Sequence, residues 1–278
     1  MKRPLILNTN GDFAPTKPEQ FLLIKEAGFD GVFTFGEDEK IGEFAEKLKE
    51  LNMIYQSVHA PFMGVDALWE ENNEKAEAIS EKLMFSLKQC IKYEIPLLVI
   101  HAYIGFNKHS PNDLGVERFG KIVKYAENSG VKIAFENTEG MEYLECLMKA
   151  FKNESHVGFC FDSGHEMCYN YSIDMLAKYG GKLFGTHLND NLGIKSLDNK
   201  IIWTDDLHLL PFDGIADWNS IAKRIVNTGF SGALTFELNV SSKPDRHDND
   251  KYKSVPINQY LAESYARACK IRNIIESL

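Results

Sequence analysis

The chain has 278 residues, 44% of them hydrophobic and 26% charged, which excludes a disordered or collagen-like chain. Its net charge of -9 disfavours nucleic acid and anionic membranes as partners, because both would repel the average surface. Since no apolar stretch reaches the roughly 20 residues of a membrane-spanning helix and the five cysteines form no CxxC pair, we expect a cytoplasmic protein with reduced thiols.

Eight short apolar runs, mostly rich in β-branched or aromatic residues, recur along the chain. This composition is typical of strands that are buried on both faces. We predict strands at residues 5–7, 31–35, 54–58, 97–100, 132–135, 158–161, 183–186 and 233–236.

Helical patterns lie between these runs, at residues 18–27, 76–92, 114–128, 141–152, 218–227 and 260–275. Strand and helix that alternate through eight units in fewer than 300 residues predict a (β/α)8 TIM barrel, with residues 1–278 as a single domain. A doubly wound open sheet is the alternative, although no GxGxxG follows the first strand. The long connection before Trp218 interrupts the alternation of strands and helices. Residues 194–203 could form a hairpin there. An insertion of this length is expected to cover or complete a site.

Chemically active side chains follow the predicted strands. Five of the eight histidines and four carboxylates occupy strand ends or the long insertion. The histidines are His59, His101, His165, His187 and His208, and the carboxylates are Glu136, Asp162, Asp206 and Glu237. In a parallel barrel these positions share one face, where so many ionisable groups would be costly without a cation. The mixed imidazole and carboxylate set suits Zn, Mn, Fe or Co better than Mg.

These motifs resemble the xylose isomerase-like TIM-barrel superfamily, which includes sugar and sugar-phosphate isomerases and epimerases and also endonuclease IV. The resemblance covers nearly the whole chain and implies a metal site made of Glu136, Asp162, His187 and Glu237. In ketose 3-epimerase-like members the two glutamates are also the catalytic proton-transfer pair, on opposite faces of the substrate.

The same resemblance implies substrate contacts. His165, three residues after the aspartate, and Glu142, six residues after the first glutamate, would bind substrate oxygens. The arginine that those epimerases place six residues after the histidine ligand is replaced by Gly193, so this chain departs from the pattern of that subgroup.

Endonuclease IV offers a second resemblance, because it binds three zinc ions through nine groups whose residue types all have counterparts here, in order. The nine are the five histidines and four carboxylates named above. We therefore expect one divalent metal ion (Zn, Mn, Co or Fe) at the four-residue site, and up to three if His59, His101, His165, Asp206 and His208 also ligate.

The sequence favours a divalent-metal-dependent sugar or sugar-phosphate isomerase or epimerase that transfers protons through a metal-stabilised enediolate. The alternatives are a zinc-dependent phosphodiesterase acting on abasic DNA and a sugar-binding barrel with a structural metal. His59, His101, His165, His208, Glu142 and Trp203 are the candidate substrate contacts, and Lys108 or Lys195 could meet a substrate phosphate. A homo-oligomer is allowed, whereas nucleic acid is disfavoured by the charge.

Overall fold

The computed structural model describes residues 2–36, 40–107 and 110–278, so Lys108 lies outside the described residues. Eight strands form one parallel sheet in the order β7-β6-β5-β4-β3-β2-β1-β8. The strands are β1 (Leu5–Asn8), β2 (Gly31–Phe35), β3 (Ile54–His59), β4 (Leu97–His101), β5 (Lys132–Glu136), β6 (Val157–Asp162), β7 (Leu183–His187) and β8 (Leu234–Phe236).

The two edge strands, β7 and β8, meet and nearly close the sheet into a barrel. The backbone N–H of Leu188 donates to the carbonyl of Thr235 (2.8 Å), and that of Glu237 donates to the carbonyl of Leu188 (3.3 Å). The N–H of Thr235 also donates to the hydroxyl of Thr186 (3.0 Å). The single-domain TIM barrel predicted from the sequence is confirmed, and the open doubly wound alternative is wrong.

Apolar side chains fill two separate regions, as the period-two alternation of buried strands requires. Leu97, Val99, Ala134 and Cys160 point into the barrel and form a small interior cluster. The alternate strand residues point outward into a much larger core beneath the helices. This double burial explains why the strands are apolar throughout.

Helices cover the outside of the barrel. They are α1 (Lys17–Ala27), α2 (Ile41–Glu50), α3 (Asn73–Lys92), α4 (Asp113–Ala126), α5 (Met141–Ala150), α6 (Ser163–Cys168), α7 (Met175–Tyr179), α8 (Trp218–Asn227), α9 (Asp250–Lys253) and α10 (Ile257–Glu276). The sequence did not predict α2, although Ile41, Phe44 and Leu48 give it a buried stripe. None of the described helices combines the length and apolarity that crossing a bilayer requires.

Helix boundaries differ from the predicted ones where polar side chains cap the backbone. Helix α3 begins three residues before its predicted start, because the side chain of Asn72 accepts a hydrogen bond from the N–H of Lys75 (3.2 Å). Helix α4 ends at Ala126, two residues early, because Asn128 adopts a left-handed conformation (φ 61).

The long insertion between β7 and α8 is irregular, so the hairpin expected at residues 194–203 is wrong. The carboxylate of Asp198 accepts from the hydroxyl of Ser196 and from the N–H of Lys200 (3.4 Å). These local bonds make a tight turn in place of a cross-strand ladder. A short 3₁₀ turn, Trp203–Asp205, follows and leads into Asp206 and His208.

A buried ion pair connects this insertion to the loop after β8. The guanidinium of Arg246 contacts the carboxylate of Asp205, and both side chains are almost fully buried. We expect Arg246→Ala to lower the free energy of unfolding by about 3 kcal/mol, because it leaves the Asp205 charge buried and unpaired. Urea denaturation measures this, with Lys47→Ala in the exposed pair with Glu50 as the control. Equal stabilities of the two variants would contradict the expectation.

Candidate metal centre and cavity

Five consecutive strands each end on one of the residues singled out in the sequence. They are His59, His101, Glu136, Asp162 and His187, at the ends of β3 to β7. The strand register places His101 beside Glu136 and Asp162 beside His187. The barrel therefore brings these side chains together at its C-terminal face, the face where TIM barrels hold their sites.

Glu136, Asp162, His187 and Glu237, here called the tetrad, offer four ligand atoms that lie within 4.8 Å of one another. The Nδ1 atom of His187 contacts Oε1 of Glu136 at 2.8 Å and Oε2 of Glu237 at 3.0 Å. Glu136, Asp162 and His187 are buried, whereas the Glu237 side chain is 12% exposed. Two carboxylates, one at the end of β5 and one directly after β8, thus meet at one imidazole nitrogen.

His59 and His101, here called the histidine pair, flank the other oxygen of Glu136. Their Nε2 atoms lie 3.1 and 3.3 Å from Oε2 of Glu136. The Nδ1–H of His59 donates to the carbonyl of Ala60 (2.8 Å), which fixes the ring with its Nε2 atom toward the carboxylate. Burial lowers the pKa of His101 to about 4, and Phe62 stacks on its ring at 4.9 Å.

His165, Asp206 and His208, here called the rim triad, form a separate three-donor group. The Nε2 atom of His208 lies 2.9 Å from Oδ2 of Asp206, and Nε2 of His165 lies 3.5 Å from Oδ1. The Nδ1–H of His208 donates to the carbonyl of Glu237 (3.1 Å), so this ring also turns its Nε2 toward a carboxylate. All nine residues therefore converge, in three adjoining groups.

The tetrad contains three carboxylates and one imidazole, and the pKa values of its members reflect this excess of negative charge. Burial opposes ionisation of Glu136 and Glu237, but His187 and its neighbours hold the pKa of Glu136 well below its usual range and that of Glu237 at about 2. Burial also opposes the charge of His187, yet Cys160 and the two glutamates raise its pKa well above normal. Burial raises the pKa of Asp162 to about 6.

In the rim triad, nearby cations keep the carboxylate ionised and nearby carboxylates keep a histidine protonated. Burial opposes the charge of Asp206, but His208, Lys243 and His165 hold its pKa well below normal. Asp206 and Glu237 raise the pKa of His208 to about 9 against the effect of burial. Among the described groups, protonated histidines and the ammonium of Lys243 supply the positive charge that these carboxylates require.

The donor set fits a divalent cation. The Nδ1 atom of His165 and Oδ1 of Asp206 are buried and have no hydrogen-bond partner among the described residues. Unpartnered buried donors and acceptors are costly, and ligation of an ion would satisfy such atoms. Imidazole nitrogens whose opposite N–H is fixed by a carbonyl are the usual form of a ligand histidine. The tetrad fits one ion, and the rim triad offers donors for a second.

A cation that binds this folded centre must stabilise the fold. At a zinc concentration about 100 times the dissociation constant we expect a gain of about 2.7 kcal/mol in the free energy of unfolding. Differential scanning calorimetry after chelation and zinc addition measures the shift, with magnesium as the control because it suits imidazole ligands poorly. An unchanged transition with zinc would contradict the fit.

Buried amides fix the position of Asp162. Its N–H donates to Oδ1 of Asn137 and its carbonyl accepts from Nδ2 of the same side chain, both at 2.8 Å. Its carboxylate accepts from Nδ2 of Asn189 (2.9 Å) and from the N–H of His165 (2.7 Å). Gly164 permits this packing, because a Cβ there would lie 2.0 Å from Oδ1 of Asn189. Asp162 is therefore preorganised.

His187 is held from two sides. Its ring stacks on Phe33 with centroids 4.7 Å apart and an angle of 10°. The Cys160 side chain, which points into the barrel from β6, lies close enough to the imidazole for the two groups to influence each other's pKa, and burial raises the pKa of this thiol to about 12. A neutral thiol is therefore part of the surroundings of His187.

A cavity of about 600 Å³ opens at this centre. Its walls include both members of the histidine pair, the whole rim triad, Glu237 of the tetrad and Trp203. Glu237 is the tetrad carboxylate that faces the cavity, whereas Glu136 is fully buried and does not line it. Phe62 and Phe106, which follow β3 and β4, also line the cavity.

Glu142 does not line the cavity, contrary to the expectation from the resemblance. It is exposed on the first turn of α5, which begins at Met141 and directs this side chain to solvent. Glu139 lines the cavity instead; it is buried, and its Oε1 accepts from the N–H of Gly105 (2.8 Å). Burial raises the pKa of Glu139. Its position three residues after Glu136 is a signal that sequence inspection could have used.

The sequence also missed Lys243 and Tyr169, which line the cavity. Lys243 lies in a tract of alternating charge that resembles a solvated loop, yet its Nζ is 3.5 Å from Asp206. Of the two other tryptophans, Trp69 is buried and donates to the carbonyl of Ala102 (2.8 Å). Trp218 is the first residue of α8 and is buried, and its indole donates to the carboxylate of Asp190 (3.0 Å).

The family comparison agrees with this architecture. The family model of the xylose isomerase-like TIM barrel matches residues 21–256, most of the chain. The chain belongs to this family. The resemblance drawn from the strand-end motifs is therefore confirmed, and the xylose isomerase-like barrel accounts for the placement of the nine residues at one face.

Individual relatives of this xylose isomerase-like barrel are distant. The protein y4fM of Sinorhizobium fredii is 34% identical over 165 residues, which are 57% of this chain and 47% of that protein. The chain thus spans about half the length of the curated relative it matches.

Two solved structures share the fold. 3-Keto-D-glucoside 4-epimerase YcjR from E. coli has a TM-score of 0.72 at 15% identity, covering 97% of this chain and 100% of that one. The IOLI protein, solved with a binding zinc atom, has a TM-score of 0.73 at 16% identity, covering 100% of this chain and 99% of that one. At this identity the likeness establishes the fold alone.

Proposed function

We propose that this protein is a divalent-metal-dependent sugar isomerase or epimerase. The observation that carries the proposal is the meeting of Glu136 and Glu237 at Nδ1 of His187, beside Asp162 at the base of a cavity. The tetrad would hold the ion, and Zn, Mn, Co or Fe suits its donors. A bound cation would polarise a substrate carbonyl and its neighbouring hydroxyl, making the intervening C–H acidic.

The two glutamates provide the acid–base chemistry. Glu237 faces the cavity and stays ionised, so it takes the proton from the carbon beside the carbonyl. Glu136, which meets Glu237 at Nδ1 of His187, would have to carry a proton taken from solvent for the second step, and would give it to the resulting enediolate while Glu237 keeps the proton that it removed. Return of a proton to the other face of the same carbon inverts that carbon. Return to the neighbouring carbon isomerises the sugar.

The surrounding residues would orient the substrate and exclude water. His165 and His208 lie beside the reacting carboxylates and are proposed to bind sugar hydroxyls, as are the histidine pair. Glu139 replaces Glu142 as the carboxylate available to a hydroxyl. The structural likeness to the 3-keto-D-glucoside 4-epimerase YcjR supports this choice of chemistry.

Solvent exchange tests the proposal. The protein, loaded with zinc or manganese, is incubated in D₂O with D-fructose, D-psicose, D-tagatose and 3-keto-glucosides. NMR should show deuterium at the carbon beside the carbonyl, with exchange lost after chelation. Absence of exchange from every sugar at full metal occupancy would refute the proposal.

A phosphodiesterase is the second candidate, because all nine residues converge and the rim triad forms a distinct three-donor group. This function requires about three zinc ions per chain and cleavage of an oligonucleotide that contains an abasic site. The net charge of -9 provides little attraction for the DNA backbone. One bound ion and no cleavage would eliminate it.

A further inference from the structure

The cavity has two chemically different ends. Its floor consists of carboxylates and imidazoles, from which an aromatic wall extends to the mouth. The ring of Tyr169 packs against His165 (5.0 Å), and Phe106 packs against Tyr169 (5.8 Å). The hydroxyl of Tyr169 also donates to the carbonyl of Trp203 (3.3 Å), which joins the insertion to this wall.

The upper part of the wall is apolar and solvent-exposed. Met63 is 66% exposed, Trp203 is 49% exposed and Phe106 is 38% exposed, and all three line the same cavity. Apolar surface that is grouped at the mouth of a cavity marks a place where a ligand is buried.

The size of the cavity exceeds the needs of a single sugar ring. Cavities of roughly 300–1,000 Å³ enclose drug-sized ligands, about twice the size of a monosaccharide. At about 600 Å³, this cavity has room for a sugar on the polar floor and a second ring against the wall.

We infer that the substrate is a glycoside that carries a ketone on its sugar ring and an apolar, ring-sized aglycone; unoxidised glucosides are then unreactive analogues that report binding alone. The sugar lies on the polar floor, and the aglycone packs against Phe106 and Trp203 at the mouth. The inference rests on the proposed function only in identifying the floor as the place of the reacting sugar. Trp203 and Phe106 are thereby specificity residues and do not take part in proton transfer.

Lys243 is the competing feature at the mouth, because an ammonium could bind a phosphorylated sugar. Its Nζ lies 3.5 Å from Oδ2 of Asp206 and 5.8 Å from the centre of the Trp203 ring. The ammonium of Lys243 is therefore paired with the buried carboxylate of Asp206. It also makes a cation–π contact with the indole of Trp203, against which the aglycone packs. This contact favours the glycoside, and a phosphorylated sugar becomes an outcome of the test.

Calorimetric titration of the metal-loaded protein tests the inference with a matched pair of ligands, phenyl β-D-glucoside and methyl β-D-glucoside. We expect the phenyl glucoside to bind about tenfold more tightly, since one well-packed aromatic contact has about this value. Trp203→Ala and Phe106→Ala should each remove most of this difference and change the methyl glucoside affinity less than about twofold.

Phe85→Ala is the control, because Phe85 is equally exposed (38%) but lies on α3, outside the cavity lining. Equal affinities for the two glucosides, or equal losses for both in the variants, would overturn the inference. Tighter binding of glucose 6-phosphate, lost in Lys243→Ala, would overturn it in favour of a phosphorylated substrate. Binding is measured without turnover, so absent proton exchange refutes the proposed function and leaves this result standing.

Discussion

Glu237→Gln is expected to reduce deuterium incorporation into a substrate sugar by about 10²–10⁴-fold, the usual contribution of a positioned acid–base group. The glutamine amide keeps the shape of the side chain and one oxygen that can ligate a metal ion. It is too weakly basic to accept the proton. Glu237 is the tetrad carboxylate that lines the cavity, so the substitution removes the proposed base. NMR detection of exchange in D₂O gives the rate, and elemental analysis of the same sample gives the metal content.

Metal content separates loss of chemistry from loss of the ion. Glu136→Gln is the matched comparison: Glu136 is fully buried and is contacted by His59, His101 and His187, so this variant should lose both metal and exchange. Unchanged exchange in Glu237→Gln at full metal occupancy would exclude Glu237 from proton transfer.

Asp190→Ala is expected to lower the free energy of unfolding by about 4 kcal/mol, among the largest effects of single substitutions. The buried Asp190 carboxylate accepts hydrogen bonds from the N–H groups of Phe212 (2.8 Å) and Ala216 (3.0 Å) and from the indole of Trp218 (3.0 Å). It therefore holds the connection into α8, just after the rim triad. Removal leaves buried donors without a partner.

Asp217→Ala provides a control in the same connection. Asp217 is exposed and caps α8 through the N–H of Ser220 (3.0 Å), so its loss should cost only about 1 kcal/mol. Urea denaturation of both variants gives the comparison. A loss below about 1 kcal/mol for Asp190→Ala would contradict the anchoring role.

Much of the fold could be predicted because strands buried on both faces carry a local signal. The strands predicted at residues 97–100 and 132–135 match β4 and β5 to within one residue. Short helices such as α6 and α7 are too brief to show periodicity. The hairpin in the insertion failed because Ser196 and Asp198 satisfy the backbone locally.

The candidate site also contains residues that could be predicted from the sequence and residues that could not. Residues that end strands, such as Glu136 and His187, could be predicted because barrel topology fixes where strand ends lie. Residues in loops were harder to predict: Asp206 and His208 of the insertion do lie at the cavity, but the direction of a loop side chain depends on packing between distant segments. Lys243 lines the cavity although its sequence resembles a solvated loop, and Glu142 leaves it although the resemblance implied contact.

Anomalous diffraction from crystals grown with zinc or manganese tests the central claim most directly. The claim is that the tetrad binds the cation beside which the two glutamates transfer protons. We predict an anomalous peak at about 2.0–2.3 Å from ligand atoms of Glu136, Asp162, His187 and Glu237. Tetrad side chains that bind no ion at saturating metal, or a peak confined to His165, Asp206 and His208, would contradict the account.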